Sequence, residues 1–255
     1  MTAIEITQEG PLAIVTLNRP EKRNALAMPH WQALGAAIRG FAADESVRAV
    51  ILTGAGGHFC AGADIGEFDS ARRDAKSGEA YTHAVDASAE AIIEMTKPVI
   101  AAIEGSCFGG GCGLAMDCDM RIASQSARFA IPAAKLNIVY NLRDTRNLLA
   151  LAGPGYAKRI LFTGEPVDAD TALRIGIVDE LAEAPLEAAR RLALKIAENA
   201  PMSVAGAKTL LNALVAGRAS AQLGEQLSLR AIESDDYKEG RRAFLEKRKP
   251  RFTGR

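Results

Sequence analysis

The sequence lacks a surplus of charge of either sign, with 31 basic and 31 acidic residues among 255. No overall electrostatic field would attract nucleic acid or an acidic membrane surface. It also lacks an apolar run close to the roughly 18 residues that a membrane span needs, and its start has no basic segment followed by an apolar stretch. We therefore expect a soluble cytoplasmic protein that binds neither nucleic acid nor membrane.

Metal-binding and cofactor-binding patterns are missing as well. The four cysteines show no CxxC spacing, and of the three histidines only His58 lies near one of them, so we expect reduced thiols and no metal. There is no Gly-Lys dipeptide of a phosphate loop, no G-x-G-x-x-G after a strand and no G-x-S-x-G nucleophile elbow. These absences exclude the common nucleotide sites and argue against a serine hydrolase, and we expect no metal or redox cofactor.

The residues that are present predict an α/β protein. Hydrophobic residues make up 48% of the chain and charged residues 24%, which is ordinary globular composition. Segments 3–7 and 12–17 predict a hairpin, and the apolar runs 47–53 and 99–103 predict strands that are buried on both faces. Segments 120–123 and 128–131 predict further strands, and 79–95 a helix. The repeated strand and helix segments indicate layered α/β structure.

The C-terminal part has a different pattern. After Pro185 four segments in succession carry helical periodicity, namely 186–199, 202–216, 219–233 and 236–249. Such a tail, rich in Ala and Leu, must cover its own core or a neighbouring subunit. We therefore predict a core over residues 1–184 and a helical region over 185–255.

Two glycine-rich loops follow the two buried strands. The first runs from Gly54 to Asp64, and the second from Glu104 to Gly111 and into an apolar stretch that can begin a helix. Ligands bind where such loops leave the strands of an open α/β sheet. If the strands are neighbours, amides from both loops could converge on one oxygen, as an oxyanion hole requires. Each loop alone could equally be a tight turn.

Several motifs in this order resemble the crotonase superfamily, the enoyl-CoA hydratase and isomerase family. They are TLNRPEKRNAL (16–26), FCAGADI (59–65), KPVIAAIEG (97–105), GGGC (109–112), FTG (162–164), ALRIGIVD (172–179) and FLEK (244–247). The resemblance implies a spiral core of ββα units, a helical C-terminal trimerisation region, and a homotrimer or hexamer that acts on acyl-CoA. Coenzyme A would then be part of the substrate.

The resemblance also implies roles for individual residues. It implies that Ala63 and Gly110 donate the oxyanion N–H groups. Asn24 and the segment 61–65, with Ala61, Asp64 and Ile65, would help to hold the CoA. Lys22, Arg23, Phe244 and Lys247 would contact its phosphates or adenine, although all four could also be solvated surface residues.

The carboxylates that the resemblance leads us to expect are missing. Gly113 and Ala133 stand where hydratases of the family have glutamates, and both positions would belong to the substrate site. Asn141 stands where other members have an aspartate. Hydration needs a group that activates water and one that delivers a proton, each worth roughly 10²- to 10⁴-fold. We therefore expect inefficient hydration.

The segment 139–144 (VYNLRD) is in part similar to the methylmalonyl-CoA decarboxylase branch, as is the tail 246–254. Loss of CO₂ generates the enolate without a base, so we favour malonyl-type decarboxylation, with Tyr140 and Asn141 as catalytic residues that orient the carboxylate. The alternatives are a packing role for Tyr140 and a turn role for Asn141. For Asp144 we favour a helix-end carboxylate over a displaced acid. A hydratase or isomerase with a displaced acid or base, and a silent acyl-CoA-binding subunit, stay open.

Overall fold

The computed structural model describes residues 2–68 and 73–255. Within these residues nine strands are found, in two sheets. Their bounds are β1 (Ile4–Glu9), β2 (Leu12–Leu17), β3 (Ala49–Gly54), β4 (Val99–Ile103), β5 (Ser106–Phe108), β6 (Met120–Ala123), β7 (Arg128–Ala130), β8 (Val167–Asp168) and β9 (Glu180–Leu181). The predicted hairpin and the predicted strands over 47–53, 99–103, 120–123 and 128–131 are confirmed, with ends that differ by at most two residues.

The first sheet has the strand order β1-β2-β3-β4-β6-β9. Its hairpin β1–β2 is antiparallel, with Ile4 opposite Leu17, and every other neighbouring pair is parallel. The second sheet has the order β5-β7-β8. From β4 to β7 consecutive strands alternate between the sheets, with β4 and β6 in the first and β5 and β7 in the second, as a spiral of ββα units requires.

The helices surround these sheets. They are α1 (Met28–Ala43), α2 (Ala75–Glu94), α3 (Gly110–Asp117), α4 (Leu142–Thr163), α5 (Ala169–Arg174), α6 (Pro185–Ala197), α7 (Pro201–Val215), α8 (Ala221–Ile232) and α9 (Asp235–Leu245). A break divides α4 where Gly153 adopts a φ of 68° just before Pro154. Across residues 2–68 and 73–255, no helix combines the length and apolar character needed to cross a membrane.

The first sheet is buried on both faces because apolar side chains alternate between them. Ala13 and Val15 of β2 face the larger core, which contains Trp31 and Leu34 of α1. Their neighbours Leu12 and Ile14 face the opposite side, together with residues of β3, β4 and β6. Because side chains on both faces of the sheet are buried, the sequences of these strands are continuous apolar runs.

The second face of the sheet is covered by α6. Its residues Ala188, Ala189 and Ala193 are buried against the strands. The first helix after Pro185 therefore completes the layers of the core, whereas α7, α8 and α9 extend beyond it. The division at residue 185 stays a prediction, but the packing of α6 links the two parts closely.

A buried lysine joins α7 to the sheet. The Lys208 ammonium donates to the carbonyls of Ile92 (2.9 Å) and Lys97 (3.0 Å) and pairs with Asp119 (2.8 Å). The Asp119 carboxylate also accepts a hydrogen bond from the N–H of Val99, the first residue of β4. A buried charge needs such complete pairing, and here it anchors α7 beside the site strands.

Candidate functional site

The first glycine-rich loop is fixed by a buried asparagine. Asn24 is fully buried; its side-chain oxygen accepts from the N–H of Arg19 at 2.8 Å, and its amide donates to the carbonyls of Ala55 (2.9 Å) and His58 (2.6 Å). The side chain is thus engaged within the protein. Asn24 holds the loop after β3 in shape, and its side chain is not free to contact a CoA.

The two glycine-rich loops pair with each other through their backbones. The N–H of Cys60 donates to the carbonyl of Ser106, and the N–H of Phe108 donates to the carbonyl of Cys60, both at 2.9 Å. Gly62 follows with a φ of 94°, and a Cβ there would lie 2.6 Å from the carbonyl oxygen of Phe108. Only glycine fits this close approach.

This pairing brings the N–H groups of Ala63 and Gly110 together. A Cβ built on Gly110 would lie 3.7 Å from the nitrogen of Ala63, and one on Gly62 would lie 3.0 Å from the nitrogen of Gly110. Gly110 begins α3, so its N–H has no acceptor within its own helix. In the part of the chain that the structure describes, neither N–H donates a hydrogen bond to the protein. The two amides are thus close together and make no bond to the protein, and their role as an oxyanion hole stays a prediction.

Both residues border one cavity of about 440 Å³. Its wall is mostly apolar and is built by α1, α2, the two loops and the segment before α4. Its side chains include Trp31, Ile65, Phe68, Tyr81, Val85, Ile131, Leu136, Ile138 and Val139. A cavity of this size and character fits a small, largely apolar ligand. The indole of Trp31 donates to the hydroxyl of Tyr81 at 3.1 Å, which links α1 to α2 beneath the cavity.

The carboxylate of Asp144 forms part of this wall. Asp144 lies in the first turn of α4 and is 3% exposed. A Cβ built on Gly113 would lie 2.5 Å from Oδ2 of Asp144 and 3.2 Å from the hydroxyl of Tyr140. The Asp144 carboxyl group therefore fills the space beside residue 113. The prediction of a helix-end position was right, but the same carboxylate also faces the cavity.

Polar partners hold the Asp144 carboxylate in place. Asn141 is the N-cap of α4: its oxygen accepts from the N–H of Asp144 at 2.8 Å, and its amide donates to Oδ2 at 2.9 Å. Arg143 donates to Oδ1 at 3.0 Å. Burial raises the pKa of Asp144 above its usual range, although Arg143 and the bond from Asn141 oppose this. A raised pKa suits a group that exchanges protons near neutral pH.

The predicted catalytic pair Tyr140 and Asn141 lines the cavity. The Tyr140 hydroxyl donates to the carbonyl of Gly109 at 3.1 Å, and burial raises its pKa well above the ordinary value. The hydroxyl hydrogen is therefore engaged within the protein, as the packing alternative expects. Asn141 combines its capping role with a place at the cavity wall.

The predicted CoA-binding residues separate into three groups. Ala61, Ile65 and Ala133 border the cavity, and Gly113 lies behind Asp144. Asp64 pairs with Arg19 at 3.2 Å and lies 3.8 Å from the ammonium of the half-exposed Lys22, while Arg23 adopts a left-handed turn beside them. Phe244 and Lys247 are exposed in the C-terminal region and are not among the described residues that line the cavity.

Sequence reasoning missed the charged residues behind Asp144. Asp86 of α2 lines the cavity and pairs with Arg143 at 2.6 Å, and the buried Asp117 lies 3.5 Å from Arg143. The sequence signal that could have indicated this arrangement is the three-residue spacing of Asn141 and Asp144, which is that of a reciprocal cap at the start of a helix. Nothing local indicates that Asp144 lies against Gly113, because 31 residues separate them in the sequence.

Comparison with known proteins identifies the family of this chain. The model of the family described as enoyl-CoA hydratase/isomerase matches residues 7–255. The short-chain-enoyl-CoA hydratase of Clostridium acetobutylicum is 37% identical, covering 96% of this chain and 95% of that protein. The crotonyl-CoA hydratase of Syntrophomonas wolfei is 35% identical, covering 99% and 98%.

A solved structure agrees with the fold over the whole chain. The crystal structure of an enoyl-CoA hydratase/carnithine racemase from Magnetospirillum magneticum superposes with a TM-score of 0.94 at 36% identity. The match covers 100% of this chain and 97% of that one. The chain therefore belongs to the enoyl-CoA hydratase/isomerase family of the crotonase superfamily, whose enzymes act on acyl-CoA thioesters.

Proposed function

We propose that this protein moves a proton at the acyl carbons of an enoyl-CoA thioester, with Asp144 as the general acid and base. The N–H groups of Ala63 and Gly110 would hold the thioester oxygen while it carries the negative charge of an enolate. The observation that carries the proposal is the Asp144 carboxylate, which lines the cavity beside Gly113. It supplies the carboxylate that the sequence lacks at residue 113.

The geometry of α3 supports this assignment. Gly110 and Gly113 lie on the same helix, and residues three apart are separated by a rise of about 4.5 Å. The carboxylate thus lies close to one helical turn from the N–H of Gly110. In an acyl thioester bound at the two amides, the carbon next to the carbonyl would then come within reach of Asp144. Each carboxylate oxygen keeps acceptor capacity beyond its bonds to Arg143 and Asn141.

Double-bond isomerisation is the reaction that a single carboxylate serves best. Asp144 would take a proton from C2 of a 3-enoyl-CoA, and the electron pair of that C–H bond would delocalise onto the thioester oxygen as a dienolate. The same proton would then be delivered to C4 and leave a 2-enoyl-CoA. No net proton or electron is gained or lost, and the two amides would stabilise the charge of the intermediate.

Hydration is the second candidate, because the relatives compared above are named hydratases. Here Asp144 would accept a proton from water as the oxygen adds to C3, and the enolate would then take a proton at C2. The proton-donating and water-activating tasks would both fall to Asp144. We therefore expect hydration to be slower than in an enzyme with a separate group for each task.

The malonyl-type decarboxylation that we favoured from the sequence is not supported. The relatives above are named hydratases, and the Tyr140 hydroxyl donates to Gly109 and not towards the cavity. Asp86 and Asp144 both line the cavity. A malonyl carboxylate bound there would meet like charges in a partly desolvated space, which is unfavourable.

Three substrates test the proposal: trans-3-hexenoyl-CoA, crotonyl-CoA and methylmalonyl-CoA. We expect the first to gain the absorbance of a conjugated enoyl thioester. We also expect Asp144→Asn to lower kcat by about 10²- to 10⁴-fold, whereas Glu165→Gln, an exposed carboxylate, leaves it unchanged. Full activity of Asp144→Asn would refute the proposal. CO₂ release from methylmalonyl-CoA alone would favour decarboxylation, and tight binding without any turnover would favour a silent subunit.

We also propose that the protein assembles as a homotrimer or a pair of trimers. Large apolar side chains on α7 and α8 are about half exposed or more, including Leu211 (62%), Leu214 (64%) and Leu229 (51%). Such a surface is costly to leave in water and is typical of a subunit interface. Light scattering coupled to size exclusion would show a mass of three or six chains, and a monomer at micromolar concentration would contradict this.

A further inference from the structure

A single arginine lies among three carboxylates behind the cavity wall. The Arg143 guanidinium donates to Asp144 at 3.0 Å, pairs with Asp86 at 2.6 Å and lies 3.5 Å from Asp117. Three different helices supply these carboxylates, α4, α2 and α3. The Arg143 side chain is 16% exposed, so the cluster is largely removed from water.

Three carboxylates crowded around Arg143 cannot all stay ionised at low cost in such a place, even though Arg146 also lies near Asp117. Asp117 is the most deeply buried, and its burial, followed by the charge of Asp144, raises its pKa well above the usual range. Its oxygen also accepts a hydrogen bond from the Asn147 amide at 3.0 Å. Burial therefore favours the protonated form of Asp117, and Arg143 makes its two shortest contacts with Asp86 and Asp144.

The sharing of Arg143 between Asp86 and Asp144 matters for proton transfer. A carboxylate that alone faces a close guanidinium is held in its ionised form and becomes a weak base, with a pKa lowered by one to three units. Asp86 draws the terminal nitrogen of Arg143 towards α2 by the shortest contact of the cluster. The negative charge of Asp86 also acts on Asp144 directly and raises its pKa. The strength of Asp144 as a base thus depends on a residue of another helix.

We propose that Arg143 and Asp86 are positioning residues for Asp144: Arg143 fixes its carboxylate at the cavity wall, and Asp86 balances the guanidinium so that Asp144 stays basic enough to accept a proton. This inference rests on the function proposed above for Asp144. It concerns the pair that controls the acid and base group, and neither Arg143 nor Asp86 takes part in the reaction itself.

The groups that face this cluster come from each helix packed around it. Asp86 faces Asp144 from α2, and Asp117 faces it from α3. Tyr140 and Arg143 face Asp144 from the same segment of chain that carries it. Arg146 lies near Asp117 and favours its ionised form. Asp86 is more exposed than Arg143, Asp117 and Asp144, with 38% of its side chain accessible, so it can be changed with less risk to folding.

The test is the pH dependence of kcat/KM in Asp86→Asn, measured with the enoyl-CoA that the wild-type protein converts. The acid limb reports the protonation of the base in the free enzyme. Without Asp86, the full charge of Arg143 acts on Asp144, and we expect the acid limb to move to lower pH by about 0.5 to 1 unit. KM should change little, because the cavity keeps its shape.

Two further variants separate this effect from a general change of charge. Glu90→Gln removes an exposed negative charge from the same helix and should leave the acid limb where it is. Asp86→Glu keeps a negative charge beside Arg143 and should restore the wild-type profile. Arg143→Lys keeps the positive charge but loses the forked contact, so we expect a lower kcat with KM within about twofold.

The outcomes distinguish this inference from the proposed function. If Asp144→Asn is inactive but Asp86→Asn and Glu90→Gln give the same acid limb as the wild type, the positioning role is wrong and the proposed function stands. An acid limb that moves to higher pH in Asp86→Asn would also refute the role. If Asp144→Asn is fully active, the proposed function fails first, and the role of Asp86 fails with it.

Discussion

Gly113→Ala is the sharpest test of the carboxylate position, because one methyl group would displace it. The new Cβ would lie 2.5 Å from Oδ2 and 3.0 Å from Cγ of Asp144. Ordinary van der Waals separation is about 3.5 Å, so the carboxylate must retreat by roughly 1 Å. A misplacement of this size lowers a rate by about 100-fold. The substitution should therefore strongly reduce kcat without removing any functional group.

The backbone gives no reason for the fold to fail. Gly113 lies inside α3 and is not among the residues with positive φ, and alanine in a helix interior is favoured over glycine by up to about 1 kcal/mol. This gain offsets part of the cost of moving Asp144. We expect the free energy of unfolding to change by less than about 2 kcal/mol.

The measurements are kcat, KM and the urea midpoint for Gly113→Ala and for a matched control. Gly40→Ala places a methyl group in α1, where no atom lies within 4 Å, and should leave kcat unchanged. A kcat of Gly113→Ala within twofold of the wild type, with the fold intact, would refute Asp144 as the acid and base.

Three other changes have defined outcomes. Gly62→Ala puts a Cβ at a φ of 94° and 2.6 Å from the Phe108 carbonyl, so unfolding free energy should fall by about 1–3 kcal/mol in urea titration, and kcat should fall as well. Lys208→Met leaves the partly buried Asp119 without its cation and should cost about 2–4 kcal/mol by the same assay; a cost below about 1 kcal/mol would contradict the anchor. Because folding raises the pKa of Asp117, the native state binds the extra proton and unfolding free energy should fall as pH rises above about 4. Asp117→Asn should flatten this slope above about pH 4.

The layers of the fold could be predicted from sequence because their signals are local. The run from Val99 to Ile103 is apolar throughout and forms a strand with those same bounds. The helix predicted over 79–95 is found as Ala75–Glu94. The shortest strands were not predicted from the sequence. The strand β8 has two residues and owes its existence to its pairing with β7, a contact that no periodicity reveals.

The site was predictable where the backbone forms it and not where distant side chains meet. The glycines at 62 and 110 already indicated where the two loops could present their amides. The place of Asp144 depends instead on how α4 packs against α3, which brings it to Gly113 across a long stretch of chain. The role of Asn24 in holding the first loop could likewise not be predicted, since its side chain bonds to backbone atoms of Arg19, Ala55 and His58.

The backbone pairing of Cys60 with Ser106 and Phe108 has a consequence for the substitutions that the two loops can accept. Peptide groups set the spacing of the two amides, and every residue except proline carries the same backbone N–H. Side chains that point away from this pairing can therefore vary while the pair of amides persists, provided that glycine stays at position 62. A carboxylate, in contrast, reaches the substrate from whichever neighbouring element happens to carry one. Under the proposed function Asp144 would be such a carboxylate, brought to Gly113 from another helix 31 positions away in sequence.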